Sequence, residues 1–199
     1  MTRAEPPRTF APDDVPVREA ATVALIRDAT FGGGVEVFLQ HRVATMQFAA
    51  GMSVFPGGGV EPRDYLGTRQ WRGPEAQWWA QRFGIGVDRA AAAVRGVARE
   101  LFEETGVLLA EPDAAGGVGP DAAVSNRADR PGGVDLPSHA ERRALDAGEG
   151  DLDGLLAQHG LVLSAHLLRP TLHVLSDLAT ASDVAEVLEW PRSIAPGGH

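Results

Sequence analysis

An alanine-rich stretch near the middle of the chain constrains the fold more than any other feature. From position 89 to position 104 the sequence has no proline and repeats apolar side chains at helical spacing. This pattern predicts a helix. We expect Asp88 to be its N-cap and Gly106 to end it in the left-handed conformation that glycine adopts without steric cost.

Three glutamates stand at the carboxyl end of this predicted helix. At about 100° per residue, Glu100, Glu103 and Glu104 fall on one face. Close carboxylates repel one another by about 0.2–0.5 kcal/mol per pair, and the helix dipole disfavours each negative charge there by about 0.3–1 kcal/mol. An arrangement that costs stability without a visible gain indicates a functional site.

A hard divalent cation would offset this charge. Mg²⁺ and Mn²⁺ prefer oxygen ligands, and carboxylates with water and substrate phosphate make a common Mg²⁺ shell. The adjacent Arg99 could hold one carboxylate in a fixed rotamer through a bidentate pair. A solvated acidic helix end is the alternative explanation of the same residues.

Two stretches of the chain resemble the two halves of the Nudix box, G-x5-E-x7-R-E-U-x-E-E-x-G-U with U aliphatic. Residues 99–107, Arg-Glu-Leu-Phe-Glu-Glu-Thr-Gly-Val, match its second half. Residues 55–64, Phe-Pro-Gly-Gly-Gly-Val-Glu-Pro-Arg-Asp, match its first half and place Asp64 at the first glutamate of the box. Between Asp64 and Arg99 stand 34 residues where the box has seven, so an insertion of 27 residues splits it. The resemblance extends over positions 20–109, about half of the chain.

Resemblance to the Nudix superfamily implies an α/β/α sandwich, in which a mixed, curved sheet lies between helices and the box forms a loop, a helix and a second loop. It implies a hydrolase that cleaves phosphorus-containing anhydrides, here a nucleoside diphosphate linked to another moiety. The implied cofactor is Mg²⁺ or Mn²⁺. The implied partner is a small-molecule nucleotide substrate.

The same resemblance assigns roles to residues of the box. The implied metal ligands are the carbonyl of Gly57 and the side chains of Glu100, Glu103 and Glu104. The implied catalytic residues are these three glutamates and Arg99, which would orient a carboxylate. Which glutamate acts as the general base is left open. Gly58 and Gly59 are expected to contact the substrate.

Residues ahead of the box resemble those of coenzyme A diphosphatases, a Nudix group with the pattern L-L-T-x-R-[SA]-x3-R-x3-G-x3-F-P-G-G. Residues in register are Leu39, Arg42, Gly51 and 55–58, whereas Val43 and Gln47 depart from the pattern. The resemblance implies coenzyme A or acyl-coenzyme A as substrate, with Arg42 in substrate binding. ADP-ribose or another nucleotide sugar is the alternative substrate, and a non-catalytic Nudix-like binding protein is the alternative class.

Composition excludes several other classes of protein. The chain has no cysteine, so disulfides and thiolate chemistry are absent, and all 18 basic residues are arginine, which excludes a Schiff-base lysine. A net charge of −9 argues against a nucleic-acid partner. No apolar run approaches the roughly 20 residues of a membrane span, and the N-terminus lacks an apolar signal core. We therefore expect a cytoplasmic protein with no membrane partner.

The chain is expected to form one domain over 18–199, after a flexible arm at 1–17. The aromatic-rich insertion, 65–88, is interpreted either as a satellite hydrophobic cluster or as a wall of the substrate pocket. A flexible loop is expected at 111–135. From 171 to 199 the sequence no longer resembles Nudix relatives and is expected to be divergent or shortened. An exposed sheet edge there would favour a homodimer.

Shorter patterns predict the remaining elements. Apolar runs predict strands at 22–26, 35–40, 52–55 and 161–163, with the first two joined as a hairpin by a triple-glycine turn. Helices are predicted at 75–83, 138–147 and 152–159, the last ended by Gly160.

Overall fold

The computed structural model describes residues 18–41, 52–67, 70–113, 135–166 and 168–170. The strands of this part of the chain are β1 (Ala20–Thr22), β2 (Ile26–Asp28), β3 (Val35–Val37), β4 (Gln40–His41), β5 (Ser53–Val54), β6 (Gly57–Gly59), β7 (Ala110–Pro112) and β8 (Leu161–Leu163). Its helices are α1 (Pro62–Tyr65), α2 (Ala76–Phe83), α3 (Val87–Thr105), α4 (His139–Asp146) and α5 (Leu152–Gln158).

Several predictions concern other parts of the chain. The arm at 1–17, most of the loop at 111–135 and the end at 171–199 lie outside the described residues. So does the segment 42–51, which contains Arg42 and the other coenzyme A signature positions between Val43 and Gly51. Among the helices that are described, none is both long and apolar enough to span a membrane.

Within the described ranges the strands pair two by two, and every pair is antiparallel. β1 pairs with β6, β2 with β3, β4 with β5, and β7 with β8. The expected hairpin is present as β2–β3. The first strand of this hairpin, expected at 22–26, is divided into β1 and β2, because the chain changes partner there: Val23 N donates to Pro56 O, whereas Leu25 O accepts from Phe38 N.

The resemblance implies one continuous mixed sheet. Over the described ranges the strands instead form four short antiparallel pairs. Strands of two or three residues form only a few ladder hydrogen bonds before the chain bends to another partner. The parallel contact found in the described part of the chain is an isolated bridge between Arg72 and Ser164.

Helix α3 begins earlier than the sequence predicts. Its N-cap is Gly86, whose carbonyl accepts the first helical bond from Ala90 N at 2.9 Å, so the prediction of Asp88 as N-cap was wrong. Asp88 instead lies in the first turn, where the helix dipole stabilises a negatively charged carboxylate. The predicted end is confirmed: Gly106 has φ 77° and donates to Phe102 O at 2.8 Å.

Helix α3 also forms the centre of the hydrophobic core. Its apolar face packs against α2, α5 and the β7–β8 pair, in a cluster that includes Trp79, Ala90, Val94, Ala98, Leu101, Leu156, Leu161 and Leu163. Trp79 of α2 is 2% exposed, and its neighbour Trp78 stacks on it edge-to-face with ring centroids 4.8 Å apart. The aromatic insertion is thus part of the main core, and the interpretation as a separate satellite cluster was wrong.

The three shorter predicted helices are confirmed within about a residue at each end. Helix α2 follows Glu75 and ends at Gly84, which has φ 65°. Helix α4 begins with a capping box in which Ser138 and Glu141 satisfy each other's backbone N–H groups. Helix α5 begins after Asp151, whose side chain accepts from Gly154 N at 2.7 Å.

Candidate active site at the carboxyl end of helix α3

Strand β6 turns one side of its backbone toward α3. Hydrogen bonds flank the strand on its β1 side, from Val23 N to Pro56 O and from Val60 N to Glu19 O, each 2.9 Å long. In an antiparallel pair bonded and non-bonded positions alternate, so the first and last glycines of β6 direct their N–H and C=O groups away from β1. Those groups are free of the ladder and available to the helix.

Each glycine of β6 meets one charged residue of α3. The three pairs are Gly57 with Glu104, Gly58 with Glu100, and Gly59 with Arg99. Gly57 N donates to Glu104 Oε2 at 2.9 Å, and Gly59 O accepts from Arg99 Nη2 at 3.0 Å. The first half of the box therefore lies directly on the acidic end of the second half.

At two of these glycines a Cβ would collide with neighbouring atoms. A Cβ on Gly58 would lie 2.4 Å from Glu100 Oε1 and 2.7 Å from Glu100 Oε2. A Cβ on Gly57, which has φ 148°, would lie 2.4 Å from Ala21 O. Without side chains, the strand approaches both the helix and its partner strand at backbone distance.

Arg99 is the centre of the charged network, and its side chain is 1% exposed. Nε and Nη2 donate to the two oxygens of Asp64 at 3.0 Å each, and Nη1 donates to Glu100 Oε1 at 3.0 Å and Glu103 Oε2 at 2.8 Å. Burial alone would lower the pKa of Arg99, but the hydrogen bonds and charge of Asp64, with the two glutamates, raise it. Arg99 thus orients three carboxylates, where the sequence predicted one.

Asp64 joins the two halves of the split box. Its carboxylate is 4% exposed and accepts from Arg99 and from Glu61 N, the latter at 2.8 Å. Gly96 leaves room for it, because a Cβ there would lie 3.1 Å from Asp64 Oδ2. Sequence reasoning placed Asp64 in register with the box but did not include it among the site residues. Its position at the first glutamate of the box was the signal that could have identified it as a site residue.

Glu103 is buried between two arginines. Its side chain is 4% exposed, with Oε2 accepting from Arg99 and Oε1 from Arg63 Nη2 at 3.1 Å. Burial raises the pKa of Glu103, and the charges of Arg99 and Arg63 oppose that rise. Glu100 and Glu103 share a donor, Nη1 of Arg99, so these two glutamates lie on the same side of the helix, with Glu103 the more buried of the two. Its second arginine comes from 40 positions away, which helix geometry alone does not reveal.

Glu100 and Glu104 each have one oxygen that accepts no hydrogen bond from the described residues, called here the open oxygen. Glu104 Oε2 accepts from Gly57 N and from Gln40 Nε2 at 3.2 Å, whereas none of the described residues donates to its Oε1. Glu100 Oε1 accepts from Arg99, and its Oε2 likewise receives no hydrogen bond within the described ranges. Burial raises the pKa of Glu100 against the opposing charge of Arg99. Gln40 is a further residue that the sequence analysis did not identify.

The chemistry of these groups fits a hard divalent cation. The site contains five carboxylates, those of Glu61, Asp64, Glu100, Glu103 and Glu104, and two guanidiniums, those of Arg63 and Arg99, so negative charge exceeds positive charge by three. All available ligands are oxygens, as Mg²⁺ and Mn²⁺ prefer. Among the residues described, no group of three or more acidic or histidine side chains is arranged as a metal site, so the backbone carbonyl of Gly57 would have to complete the ligand set.

One solved structure has a similar overall fold. The crystal structure of a Nudix hydrolase from Alicyclobacillus acidocaldarius matches with a TM-score of 0.53 and 24% sequence identity. The fold is that of a Nudix hydrolase. The match covers 75% of this chain and 57% of the other, so the chain spans little more than half the length of that protein. No protein-family model and no curated protein sequence matches.

Proposed function

We propose that this protein is a Nudix-type hydrolase that cleaves a nucleoside diphosphate linked to another moiety, with Mg²⁺ or Mn²⁺ as cofactor. The observation that carries the proposal is the contact of the β6 glycines with the acidic end of α3, closed by Arg99 and Asp64. The Nudix fold supports it, because the two box halves meet in the described geometry despite the 34 residues between them.

The residues that would hold the cation are Glu100, Glu104 and the carbonyl of Gly57. When bound, the cation would neutralise charge on the diphosphate and lower the pKa of the attacking water. Arg99 holds Glu100 through Oε1, while Gln40 and the N–H of Gly57 hold Glu104 through Oε2. The two open oxygens therefore belong to carboxylates that are already oriented, one turn apart on the same helix.

The favoured substrate is coenzyme A or an acyl derivative, cleaved to an adenosine bisphosphate and a phosphopantetheine. This preference rests on the register of Leu39, Arg42 and Gly51 with the coenzyme A diphosphatase pattern. Arg42 would bind a substrate phosphate, and Gly58 and Gly59 would form the surface beneath it. ADP-ribose or another nucleotide sugar remains the alternative, because Val43 and Gln47 depart from that pattern.

A non-catalytic Nudix-like binding protein is the second candidate function. The observation that favours it is the neutralised state of Glu103, which two arginines hold away from the open face. A site with fewer accessible carboxylates could retain a nucleotide without turning it over.

A substrate panel decides between these functions. Coenzyme A, acetyl-coenzyme A, ADP-ribose and a nucleotide sugar would be incubated with Mg²⁺ or Mn²⁺, with Glu104→Gln as the control for contaminating hydrolases. We expect kcat/KM for coenzyme A substrates to exceed the others by at least about tenfold, a difference of 1.4 kcal/mol in transition-state binding. Faster ADP-ribose cleavage would change the substrate and keep the reaction. Nucleotide binding without any hydrolysis would establish the binding protein instead.

A further inference from the structure

Arg63 occupies the position before Asp64 in the first half of the box and has no role in the function proposed above. Its guanidinium is 14% exposed and contacts Glu61, Glu103, Leu145 O and Gly150 O. We infer that Arg63 is a positioning residue that withholds Glu103 from the cation site and ties it to the segment between α4 and α5. The inference rests on the proposed function, since it concerns the cation that this function requires.

Arg99 does not neutralise Glu103 on its own. Its guanidinium also serves Asp64 and Glu100, so one positive charge faces three carboxylates. Arg63 provides the second guanidinium: its Nη2 lies 3.1 Å from Glu103 Oε1, while Arg99 Nη1 lies 2.8 Å from Oε2. Each oxygen of Glu103 therefore has its own arginine. A carboxylate that is 4% exposed remains in place only while it is paired.

The other hydrogen bonds of Arg63 fix its guanidinium in space. Nη1 donates to Leu145 O at 2.7 Å and Gly150 O at 3.3 Å, and Nε donates to Glu61 Oε2 at 2.6 Å. These acceptors belong to the end of α4, to the turn before α5 and to the cap of α1. Because they hold the guanidinium from three sides, it cannot follow Glu103 toward the open face.

Loss of Arg63 releases Glu103. With one guanidinium shared among three carboxylates, the favourable position for Glu103 is toward water on the open side of α3, beside Glu100 and Glu104. There it supplies an additional carboxylate to the cation. Removal of Arg63 is therefore expected to tighten cation binding, although it weakens the packing of the fold. A residue with a structural role alone would produce the second effect and not the first.

The test is a Mn²⁺ titration of the full chain, followed by calorimetry and by the shift in Tm. We expect Arg63→Gln to lower the Kd for Mn²⁺ by at least about threefold, and Glu103→Gln to leave it within about twofold. The double variant Arg63→Gln/Glu103→Gln should return to the Kd of Glu103→Gln, because the gain acts through that carboxylate. Arg63→Lys keeps the charge with a single donor group, and it should shift the Kd in the same direction by a smaller factor.

Arg95→Gln is the matched control. Arg95 lies one turn before Arg99 on α3 and pairs with Asp153 of α5 at 3.3 Å, so its loss weakens the same packing away from Glu103. It should lower the Tm and leave the Kd unchanged.

Weaker or unchanged Mn²⁺ binding in the Arg63 variants would overturn the inference. Tighter Mn²⁺ binding that persists in the double variant would also overturn the inference. Removal of the positive charge of Arg63 would then be enough to tighten binding, without any contribution from Glu103. If Arg63→Gln does not fold, an unchanged Kd in Arg63→Lys has the same meaning. A wild-type protein that responds to neither Mn²⁺ nor Mg²⁺ would instead overturn the proposed function, and this inference with it.

Discussion

At the scale of single residues, the site depends on the absence of a side chain at one position. Gly58 packs against the carboxylate of Glu100, whereas the next residue, Gly59, has open space where a Cβ would be, with Glu19 O nearest at 3.9 Å. Neither glycine has a positive φ, so alanine would strain neither backbone. The two positions therefore differ in what they contact and not in their conformation.

This difference predicts opposite outcomes for two alanine variants. Gly58→Ala should displace the Glu100 carboxylate and lower kcat by at least about tenfold, at a stability cost of about 1–3 kcal/mol from overpacking. Gly59→Ala should retain near wild-type kcat and Tm, and any change should fall on KM, because Gly59 is proposed to contact the substrate. Steady-state kinetics and thermal unfolding of the two variants provide the measurement. Equal activity in both would mean that the contact with Glu100 does not matter for turnover.

The neighbouring glutamates of α3 should also separate in their effects. Glu104→Gln removes an exposed carboxylate with an open oxygen, so kcat should fall by at least about 100-fold while the Tm stays near that of the wild type. Glu103→Gln removes a buried carboxylate that pairs with Arg63 and Arg99, although Asp64 and Glu61 still pair with these arginines, and it should cost about 1–3 kcal/mol of stability. Kinetics and urea unfolding of the two variants distinguish them. If Glu103→Gln lowered kcat more and Glu104→Gln lowered stability more, the roles proposed for the two residues would be wrong.

At the scale of secondary structure, local patterns predicted what depends on local interactions. The left-handed end of α3 at Gly106, the helix that starts after Glu75 and the helix predicted from 138 all follow from residues close together in the sequence. The pairing of Glu103 with Arg63 and the exchange of partners between β1 and β2 depend on contacts made across the fold. Helical spacing places a side chain on a face, but it does not show what packs against that face.

The cap of α4 predicts a pH-dependent stability. Hydrogen bonds from Ser138, and then from His159, lower the pKa of Glu141 to about 2. A carboxyl group with a lowered folded-state pKa stabilises the protein above its ordinary value of 4.5, and this stabilisation is lost as the pH falls from 4.5 toward 2.

Glu141→Gln should therefore lower the urea midpoint at pH 7, and its difference from wild type should shrink as the pH falls below 4.5. Urea unfolding at pH 7, 4 and 3 measures this difference, because the stabilisation is lost only below pH 4.5. Glu149→Gln, an exposed residue after α4, is the control and should have little effect at any of these pH values. A difference that is constant with pH would show that the cap does not depend on the charge of Glu141.

At the scale of the whole molecule, the core and the site share one helix. The face of α3 that bears Ala90, Val94 and Leu101 is buried in the main cluster, while its carboxyl end bears the charged network. The segment between the two box halves supplies Trp79 to the same cluster. Unfolding of that segment should therefore be coupled to loss of the site.

Replacement of Trp79 tests this coupling. Trp79→Ala should cost about 3–5 kcal/mol and lower the Tm by about 6–20 °C, with activity and core lost in one transition. Trp78→Ala, at the half-buried neighbour, should cost less. Circular dichroism and residual activity would be followed over the same temperature range. A Trp79→Ala variant with an unmoved main transition would mean that the insertion folds separately.

The guanidinium of Arg99 meets the carboxylate of Asp64 at 3.0 Å, although 34 residues separate them along the chain. The entropic cost of closing a loop rises slowly with its length, by about 0.6 kcal/mol for each doubling. Evolution can therefore lengthen the intervening segment at small thermodynamic cost, provided that the two ends still meet. An alignment of homologues should show frequent insertions and deletions between these positions and few substitutions at either one. Selection is expected to preserve the contact between Arg99 and Asp64, whereas the number of residues between them can change.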